Sequence, residues 1–203
     1  GAPAMAILKI ARMGHPVLLQ RSEEVADPTA PEIKQLVADM IETMDDANGR
    51  GLAANQVYVN QRVVVFHPPA DPPTDTDDEE AEERGQVLAL VNPEIEVLDE
   101  ELEDGWEGCL SVPELRGVVP RHIRIRYSGT TPDGERIERE VSGYHARVVQ
   151  HEFDHLDGIL YPMRMEDLGL LVFDSEIDHF IAAQRANDAE QDDADDNTPD
   201  SDG

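Results

Sequence analysis

The chain has 203 residues, enough for one domain with a substantial core, and its 45 acidic against 16 basic residues give a formal net charge of −29. This charge repels phosphate groups and excludes direct, nonspecific binding to nucleic acid. The single cysteine excludes an internal disulfide framework, and the lack of a long apolar run excludes a membrane-spanning helix. We therefore expect a cytoplasmic protein, with residues 1–4 a cloning remnant before a natural start at Met5.

Hydrophobic periodicity predicts the regular elements. Apolar residues at helical spacing over 31–48, with Pro31 in the first turn, predict an N-terminal helix. Short strands are predicted over 62–66, 87–91, 95–98, 121–127 and 136–141. A second helix over 143–156 has Ser142 as its predicted N-cap and Gly158 beyond its end, and a terminal helix is predicted over 175–185. This order indicates an α+β fold, in which mixed and antiparallel β-sheets surround the central helix, with an N-terminal and a C-terminal helix.

Much of the acidic excess lies in two segments. Residues 71–83 are acidic and proline-bearing and belong to an insertion at 68–84, and residues 188–202 are acidic without apolar periodicity. Low hydrophobicity with high charge predicts solvated, disordered chain in both, although such blocks also serve as docking tails for basic partners. We therefore predict a single domain over 5–186, interrupted by the insertion, and a disordered tail over 187–203.

The central helix carries the pattern His151-Glu152-Phe153-Asp154-His155. Residues four apart lie on one face of a helix, so both imidazoles can reach one metal ion. Glu152 is near enough to accept a proton from a water molecule at that metal. The pattern also occurs on solvated helix faces, so the metal-site prediction depends on a third ligand.

The third ligand separates the classes of enzyme that the pattern allows, because a catalytic site needs three protein ligands and one open position. The long metalloprotease signature requires a histidine six residues after His155, where Tyr161 stands. Glu176, 21 residues after His155, matches another class of protease. Cys109 offers a thiolate that suits soft and borderline divalent metals, although a free cysteine is commonly just a buried apolar side chain.

Three segments, in this order and at these separations, resemble the signature motifs of peptide deformylases. They are GRGLAANQ at 49–56, EGCLS at 107–111 and QHEFDHLDG at 150–158. The resemblance spans roughly residues 5–170, almost the whole predicted domain. It implies a metal-dependent hydrolase that removes the N-formyl group from the N-terminal formylmethionine of newly made polypeptides.

The resemblance also implies roles for individual residues. It makes Cys109, His151 and His155 the metal ligands, and it makes Glu152 the group that transfers the proton. It assigns stabilisation of the oxyanion to the Gln56 side chain and the Leu110 backbone N–H. It assigns contacts with the substrate to four further residues, Gly51, Glu107, Arg116 and Val148.

The implied native metal is iron(II), and zinc, nickel or cobalt can occupy the same donor set. The implied partners are N-formylmethionyl nascent peptides, with a transient contact to the ribosome and without direct nucleic-acid binding. Two alternatives remain open. One is a zinc-dependent peptidase that uses Glu176, and the other is a deformylase-like binding paralogue without activity.

Two cations depart from the family pattern. Arg50 and Arg147 stand where relatives commonly carry apolar residues, and Arg147 is four residues before His151. A long cation beside the pocket for the methionine side chain would narrow it or favour acidic peptides, unless it extends to solvent. Asp154 is either an orienting partner of the ligand helix or an exposed residue.

Overall fold

The computed structural model describes residue 4 and residues 6–70 and 84–196. Its α-helices are α1 (Pro31–Asp46), α2 (Gly143–Leu156) and α3 (Ile177–Asp196). Its strands are β1 (Gly51–Ala53), β2 (Val63–Phe66), β3 (Leu88–Val97), β4 (Leu102–Cys109), β5 (Val112–His122), β6 (Arg124–Thr130), β7 (Arg136–Ser142) and β8 (Val172–Phe173). Residues 71–83, which make up most of the predicted insertion, lie outside the described residues. The same holds for residues 197–203, at the end of the predicted tail, and for most of the predicted cloning remnant at residues 1–4.

The strands form two sheets. Five of them pair in the order β1-β2-β3-β6-β7, and three pair in the order β4-β5-β8. All pairings between these strands are antiparallel, so the predicted α+β class is observed in its antiparallel form.

β3 joins two strands that the sequence pattern separates. It runs through both predicted segments, 87–91 and 95–98, with a shift of register between Val91 and Glu94. Asn92 lies at φ 49°, and its side chain exchanges hydrogen bonds of 2.8 and 2.9 Å with the backbone of Val25. The resulting bulge absorbs the residues that interrupt the hydrophobic alternation.

The β4–β5 hairpin is not predicted by the sequence pattern. Four of the eight residues of β4 are exposed, and the strand contains Gly105 and Gly108, whereas β5 contains Pro113 and Pro120. Glycine and proline are poor strand formers, so the period-two signal is weak here. The hairpin nevertheless carries the EGCLS motif, so part of the site is positioned by elements that local patterns do not reveal.

α1 packs its apolar stripe against the five-stranded sheet. Ile33, Val37, Met40 and Met44 are buried with residues of β1, β2 and β3. The helix predicted over 31–48 is therefore observed, with its end at Asp46.

α2 contacts strands of both sheets. Val149, Phe153 and Leu156 are buried in one core cluster with residues of β2, β3 and β6. The helix ends in a Schellman motif, in which Gly158 at φ 75° donates to the His155 carbonyl at 3.1 Å and the next N–H donates to the Asp154 carbonyl at 3.0 Å. Ser142 occupies the N-cap position as predicted, but its side chain makes no capping hydrogen bond.

α3 is longer than the terminal helix predicted over 175–185. It continues to Asp196, through the first ten residues of the predicted tail. This segment contains no glycine or proline, and two alanines, one glutamine and one glutamate in it favour helix. Near its start Phe180 packs edge-on against Trp106 of β4, with 5.9 Å between ring centroids. None of the described helices is long and apolar enough to cross a membrane.

Candidate metal centre

Cys109, His151 and His155 converge where α2 meets the β4–β5 hairpin. One ligand atom from each lies within 4.8 Å of the other two. Cys109 is the last residue of β4, and its Sγ is 3.5 Å from His155 Nε2. Both histidines are buried and the cysteine is partly buried. One sulfur and two imidazole nitrogens in this arrangement suit a zinc-like divalent cation.

Glu176 does not belong to this group. It lies in an exposed 3-10 turn, Asp174–Glu176, between β8 and α3. Within residues 4, 6–70 and 84–196, no second cluster of three or more metal-ligating side chains is present. Of the two candidates for the third ligand, the structure brings Cys109 to the histidines.

Glu107 lies behind His151. Its Oε1 accepts a hydrogen bond from His151 Nδ1 at 2.7 Å, and Arg121 donates to both carboxylate oxygens at 2.9 Å. Burial alone would raise the pKa of Glu107, but hydrogen bonds from Arg121 and His151 hold it far below its ordinary value. The bond to Nδ1 leaves His151 Nε2 available to a metal. The structure thus pairs Glu107 with His151, Arg121 and Arg147 inside the protein, and the contact with substrate that the resemblance implies stays a prediction.

Asp154 joins α2 to two arginines. It accepts hydrogen bonds from Arg121 at 2.5 Å and from Arg164 at 2.5 and 2.8 Å. Arg121 is 4% exposed and also binds Glu107, so one guanidinium links the two carboxylates. Of the two readings of Asp154, the structure therefore favours an orienting partner.

Arg147 is buried and does not extend to solvent. Its Nη1 donates to Glu107 Oε2 at 2.9 Å and to the Val119 carbonyl at 2.6 Å, and its Nη2 donates to the Glu103 carbonyl at 2.7 Å. These bonds compensate the buried cation. The acidic-peptide preference considered for Arg147 is therefore not supported, because its charge is matched inside the protein.

Glu152 is 5% exposed and lies against Gly51. A Cβ at Gly51 would be 2.7 Å from Glu152 Cγ and closer still to the carboxylate, so a side chain at residue 51 has no room. Burial raises the pKa of Glu152 to about 7. Its Oε2 is buried without a hydrogen-bond partner among the residues that the structure describes. These features leave a carboxyl group able to exchange a proton near neutral pH.

The two histidines have different electrostatic surroundings. Burial lowers the pKa of His155 well below its ordinary value and keeps the imidazole neutral. Burial would also lower the pKa of His151, but hydrogen bonds with Cys109 and Glu107 raise it well above its ordinary value. A metal ion at His151 would displace that proton. Asn55 donates to the His155 carbonyl at 2.5 Å and so ties the first motif to α2.

Gln56 is held beside the cysteine. Its Oε1 accepts a hydrogen bond from Ala53 N at 2.8 Å, and its Nε2 donates to Ser111 Oγ at 3.0 Å and lies 3.6 Å from Cys109 Sγ. Leu110 is partly buried in the connection between β4 and β5. The structure therefore brings Gln56 beside the sulfur, and Leu110 directly follows the cysteine in the chain.

Three further residues singled out from the sequence pack against other parts of the protein. Val148 is 7% exposed and belongs to the α2 core cluster. Arg116 is partly exposed and pairs with Asp174 at 2.7 Å. Arg50 lies over the ring of Tyr144, with 5.0 Å between Cζ and the ring centroid, in a cation–π contact. None of these three is among the cluster of ligand atoms.

Sequence reasoning missed residues that bind the side chains around this cluster, notably Arg121, Ser111 and Arg164. One signal was available. Alternation in the strand predicted over 121–127 puts Arg121 on one face with Ile125 and Tyr127, which are buried. The structure divides this segment between β5, which contains Arg121, and β6, which contains the other two. A cation on an apolar face of a strand indicates a buried ion pair. We find no comparable local signal for Arg164 or Ser111.

Comparisons with known sequences point to one family. The family model described as polypeptide deformylase matches residues 7–170. Peptide deformylase 1 of Xanthomonas campestris pv. campestris is 47% identical over 182 residues, covering 85% of this chain and 98% of the relative. Peptide deformylase 1 of Bordetella pertussis is 51% identical over 168 residues, covering 78% and 88%.

Solved structures agree with the sequence relatives. A Met-Ala-Ser-bound class I type b peptide deformylase from Acinetobacter baumannii has a TM-score of 0.69 and 37% identity, covering 78% of this chain and 99% of that one. The peptide deformylase from Thermotoga maritima has a TM-score of 0.68 and 38% identity, covering 79% and 99%. The chain therefore belongs to the polypeptide deformylase family, the metal-dependent hydrolases that remove the N-formyl group from the N-terminal formylmethionine of newly made polypeptides.

Proposed function

We propose that this deformylase holds one divalent cation with Cys109, His151 and His155. The observation that carries the proposal is that sulfur and imidazole donors from segments 42 residues apart meet within 4.8 Å. Support also comes from the bond between Glu107 and His151, because metal-binding histidines generally donate their other ring N–H to a carboxylate or carbonyl. When bound, the cation supplies a Lewis acid that polarises the formyl carbonyl and lowers the pKa of water.

Iron(II) is the native metal in this proposal, on the strength of the family resemblance. Zinc, nickel and cobalt accept the same sulfur and nitrogen donors, so the donor set does not choose between them. Metal analysis of protein that is purified anaerobically, without added metal, tests this choice. Zinc at full occupancy and no iron in that sample would contradict it.

Glu152 accepts a proton from the attacking water and delivers it to the leaving amine in the proposed reaction. Burial raises the pKa of Glu152 to about 7, close to the pH at which such an exchange is efficient. A neighbouring divalent cation favours the ionised form and so keeps the carboxylate ready to accept the proton. The buried Oε2, without a partner in the described part of the chain, is the atom that we assign to this role.

Gln56 and Leu110 stabilise the negative charge that develops on the formyl oxygen. The proposal is supported by the fixed orientation of the Gln56 amide, which Ala53 N and Ser111 Oγ hold from two sides. The Leu110 backbone N–H is the second donor, because it directly follows Cys109 in the EGCLS segment. Donors fixed before the reaction stabilise a developing charge without a cost of reorganisation.

The peptide backbone passes along β1 beside Gly51, the residue that packs directly against Glu152. Val148, three residues before His151 on α2, forms part of the wall for the methionine side chain, and Arg116 contacts the peptide farther from the formyl group. The Acinetobacter baumannii relative is Met-Ala-Ser-bound, so formyl-Met-Ala-Ser is the matching test substrate.

Nascent N-formylmethionyl chains are the proposed natural substrates, met in the cytoplasm during a transient contact with the ribosome. The net charge of −29 opposes tight binding to ribosomal RNA, so this contact does not depend on nucleic acid. The catalytic unit comprises residues 5–186, because every residue assigned a role above lies within them.

One assay tests the proposal against its alternatives. Amine release from formyl-Met-Ala-Ser is measured beside internal cleavage of an unformylated peptide, with metal analysis of the same sample. We expect deformylation, no internal cleavage and about one metal ion per chain, as the three-ligand site requires. Internal cleavage would revive the peptidase that uses Glu176, and bound metal without either activity would indicate a binding paralogue.

A further inference from the structure

We infer that Arg147 is a positioning residue for the metal centre. It holds the Glu107 carboxylate in the orientation that directs His151 Nε2 toward Cys109 and His155. The inference rests on the proposed metal ligands, and it concerns an arginine that is not itself one of them.

Arg147 connects the helix that carries the histidines to the hairpin that carries the cysteine. It lies one turn before His151 on α2, and its side chain is 7% exposed. Its guanidinium reaches the carbonyl of Val119 on β5 and the carbonyl of Glu103 on β4, besides Glu107. Because two of these acceptors are backbone atoms, the guanidinium is fixed to the hairpin itself.

The slot for this guanidinium exists because residue 105 is glycine. Gly105 pairs with Val119 in the β4–β5 register, beside one of the carbonyls that Arg147 binds. A Cβ at Gly105 would lie 2.6 Å from Arg147 Cζ and 2.7 Å from Nε and Nη2. The guanidinium is a rigid plane, so it would have to leave the slot to relieve this overlap. Gly105 and Arg147 therefore form a matched pair in this chain.

Glu107 accepts four hydrogen bonds, two at each oxygen. Oε1 accepts from His151 and Arg121, and Oε2 accepts from Arg121 and Arg147. Arg121 is shared with Asp154, so its position also depends on the segment after α2 that carries Arg164. Arg147 has no acidic partner other than Glu107 among the described ion pairs, and its other acceptors belong to the hairpin. It therefore supplies the anchor that keeps the carboxylate aligned with both ligand-bearing elements.

Substitution of Arg147 tests the inference through metal affinity. Arg147→Met keeps much of the apolar length of the side chain and removes the planar guanidinium. Arg147→Lys keeps the positive charge but also lacks the guanidinium. We expect the dissociation constant for Co(II), measured by competition with a chelator, to rise about ten- to a hundredfold in Arg147→Met and less in Arg147→Lys, because partners that orient metal ligands contribute on this scale. The visible absorption bands of the Co(II) protein should shift as well.

Two further variants separate positioning from general loss of charge or stability. Arg124→Met removes an exposed arginine of the five-stranded sheet that binds Glu140 at 2.9 Å. This variant should leave the affinity for Co(II) unchanged. Gly105→Ala displaces the Arg147 guanidinium without removing it, and it should weaken Co(II) binding in the same direction. This variant decides the question if Arg147→Met does not fold.

The outcomes distinguish this inference from the proposed ligands. Folded Arg147→Met or Gly105→Ala protein with wild-type Co(II) affinity and spectrum would overturn the role of Arg147 alone. An equal loss in Arg124→Met would also overturn it, because the effect would then be one of net charge. Wild-type protein that does not bind Co(II) would overturn the ligand set and this inference with it.

Discussion

The contact between Gly51 and Glu152 makes a single methyl group a sharp test of the proposed proton transfer. Gly51→Ala would place its Cβ 2.7 Å from Glu152 Cγ and closer still to the carboxylate. The backbone of residue 51 lies in β1, which pairs with β2, so the strand cannot simply withdraw. Glu152 has to move, because the three atoms nearest to the added Cβ all belong to its side chain.

The size of the effect follows from the overlap. Ordinary carbon–carbon contacts lie at about 3.5–4.0 Å, so the methyl group and the Glu152 side chain must separate by roughly 1 Å. A misplacement of about 1 Å in a catalytic group lowers the rate by about a hundredfold, or about 2.7 kcal/mol in activation free energy. We therefore expect kcat on formyl-Met-Ala-Ser to fall by about that factor, with the metal content unchanged.

Gly129→Ala is the matched control. Its Cβ would meet Leu90 Cβ at 3.1 Å in the core of the five-stranded sheet, away from Glu152. This variant should lose some stability through overpacking, on the order of 1–3 kcal/mol, and keep its kcat. Wild-type kcat in Gly51→Ala would refute the argument, because it would show that the position of Glu152 does not limit the reaction.

Three further outcomes are expected. Glu152→Gln should retain metal and lose at least about a hundredfold in rate, the usual scale for acid–base catalysis, and near-normal turnover would show that another group handles the proton. Cys109→Ala should lose tightly bound metal and activity whereas Glu176→Ala keeps both, and full metal occupancy in the cysteine variant would refute the ligand assignment. Burial lowers the pKa of His145 from 6.5 to about 4, so the unfolded chain binds this proton more readily and stability should fall as the pH drops through that window. Thermal melts at pH 7 and 5.5 should show a smaller loss in His145→Gln than in the wild type, and an equal loss would contradict this origin.

The proposed ligands could be predicted because their signals are local or rest on family motifs. His151 and His155 are four residues apart, so helical geometry alone places them together. α1 and α2 were predicted within two residues of their observed ends, since both have a continuous apolar stripe. Cys109 needed the three motifs in order, because spacing alone did not separate it from Glu176.

The orienting network could not be read from local patterns. The pairs that hold Glu107 are non-local, with separations of 14, 40 and 44 residues from Arg121, Arg147 and His151. They form only when the β4–β5 hairpin is in place, and that hairpin has a weak strand signal. Arg147 was expected beside the pocket for the methionine side chain or in solvent. The sequence around residue 147 does not indicate that Gly105, far away in the chain, makes room for its guanidinium.

The end of α3 shows a second limit of sequence reasoning. Composition correctly describes this segment as acidic, but it says little about the conformation of the backbone. Alanine, glutamate and glutamine residues allow a helix even where no apolar stripe exists. Ile177, Phe180 and Ile181 are partly buried, but residues 182–191 are all exposed. Over residues 177–191, the partly buried side chains of α3 therefore lie in its first turns, where Phe180 packs against Trp106.

Truncation after Arg185 should consequently leave catalysis intact. It removes eight carboxylates and no basic residue, which changes the formal net charge from −29 to −21 and weakens self-repulsion without removing a described buried side chain. We expect kcat/KM on formyl-Met-Ala-Ser within about twofold of the full chain, because the contacts of the core are complete, and a lower solubility at low salt. Phe180→Ala in the full chain is the comparison variant, since it removes the contact with Trp106 and should lower the melting temperature more than the truncation does. A large loss of peptide turnover on truncation would show that the far end of α3 packs against the catalytic domain, and the boundary at residue 186 would then be wrong.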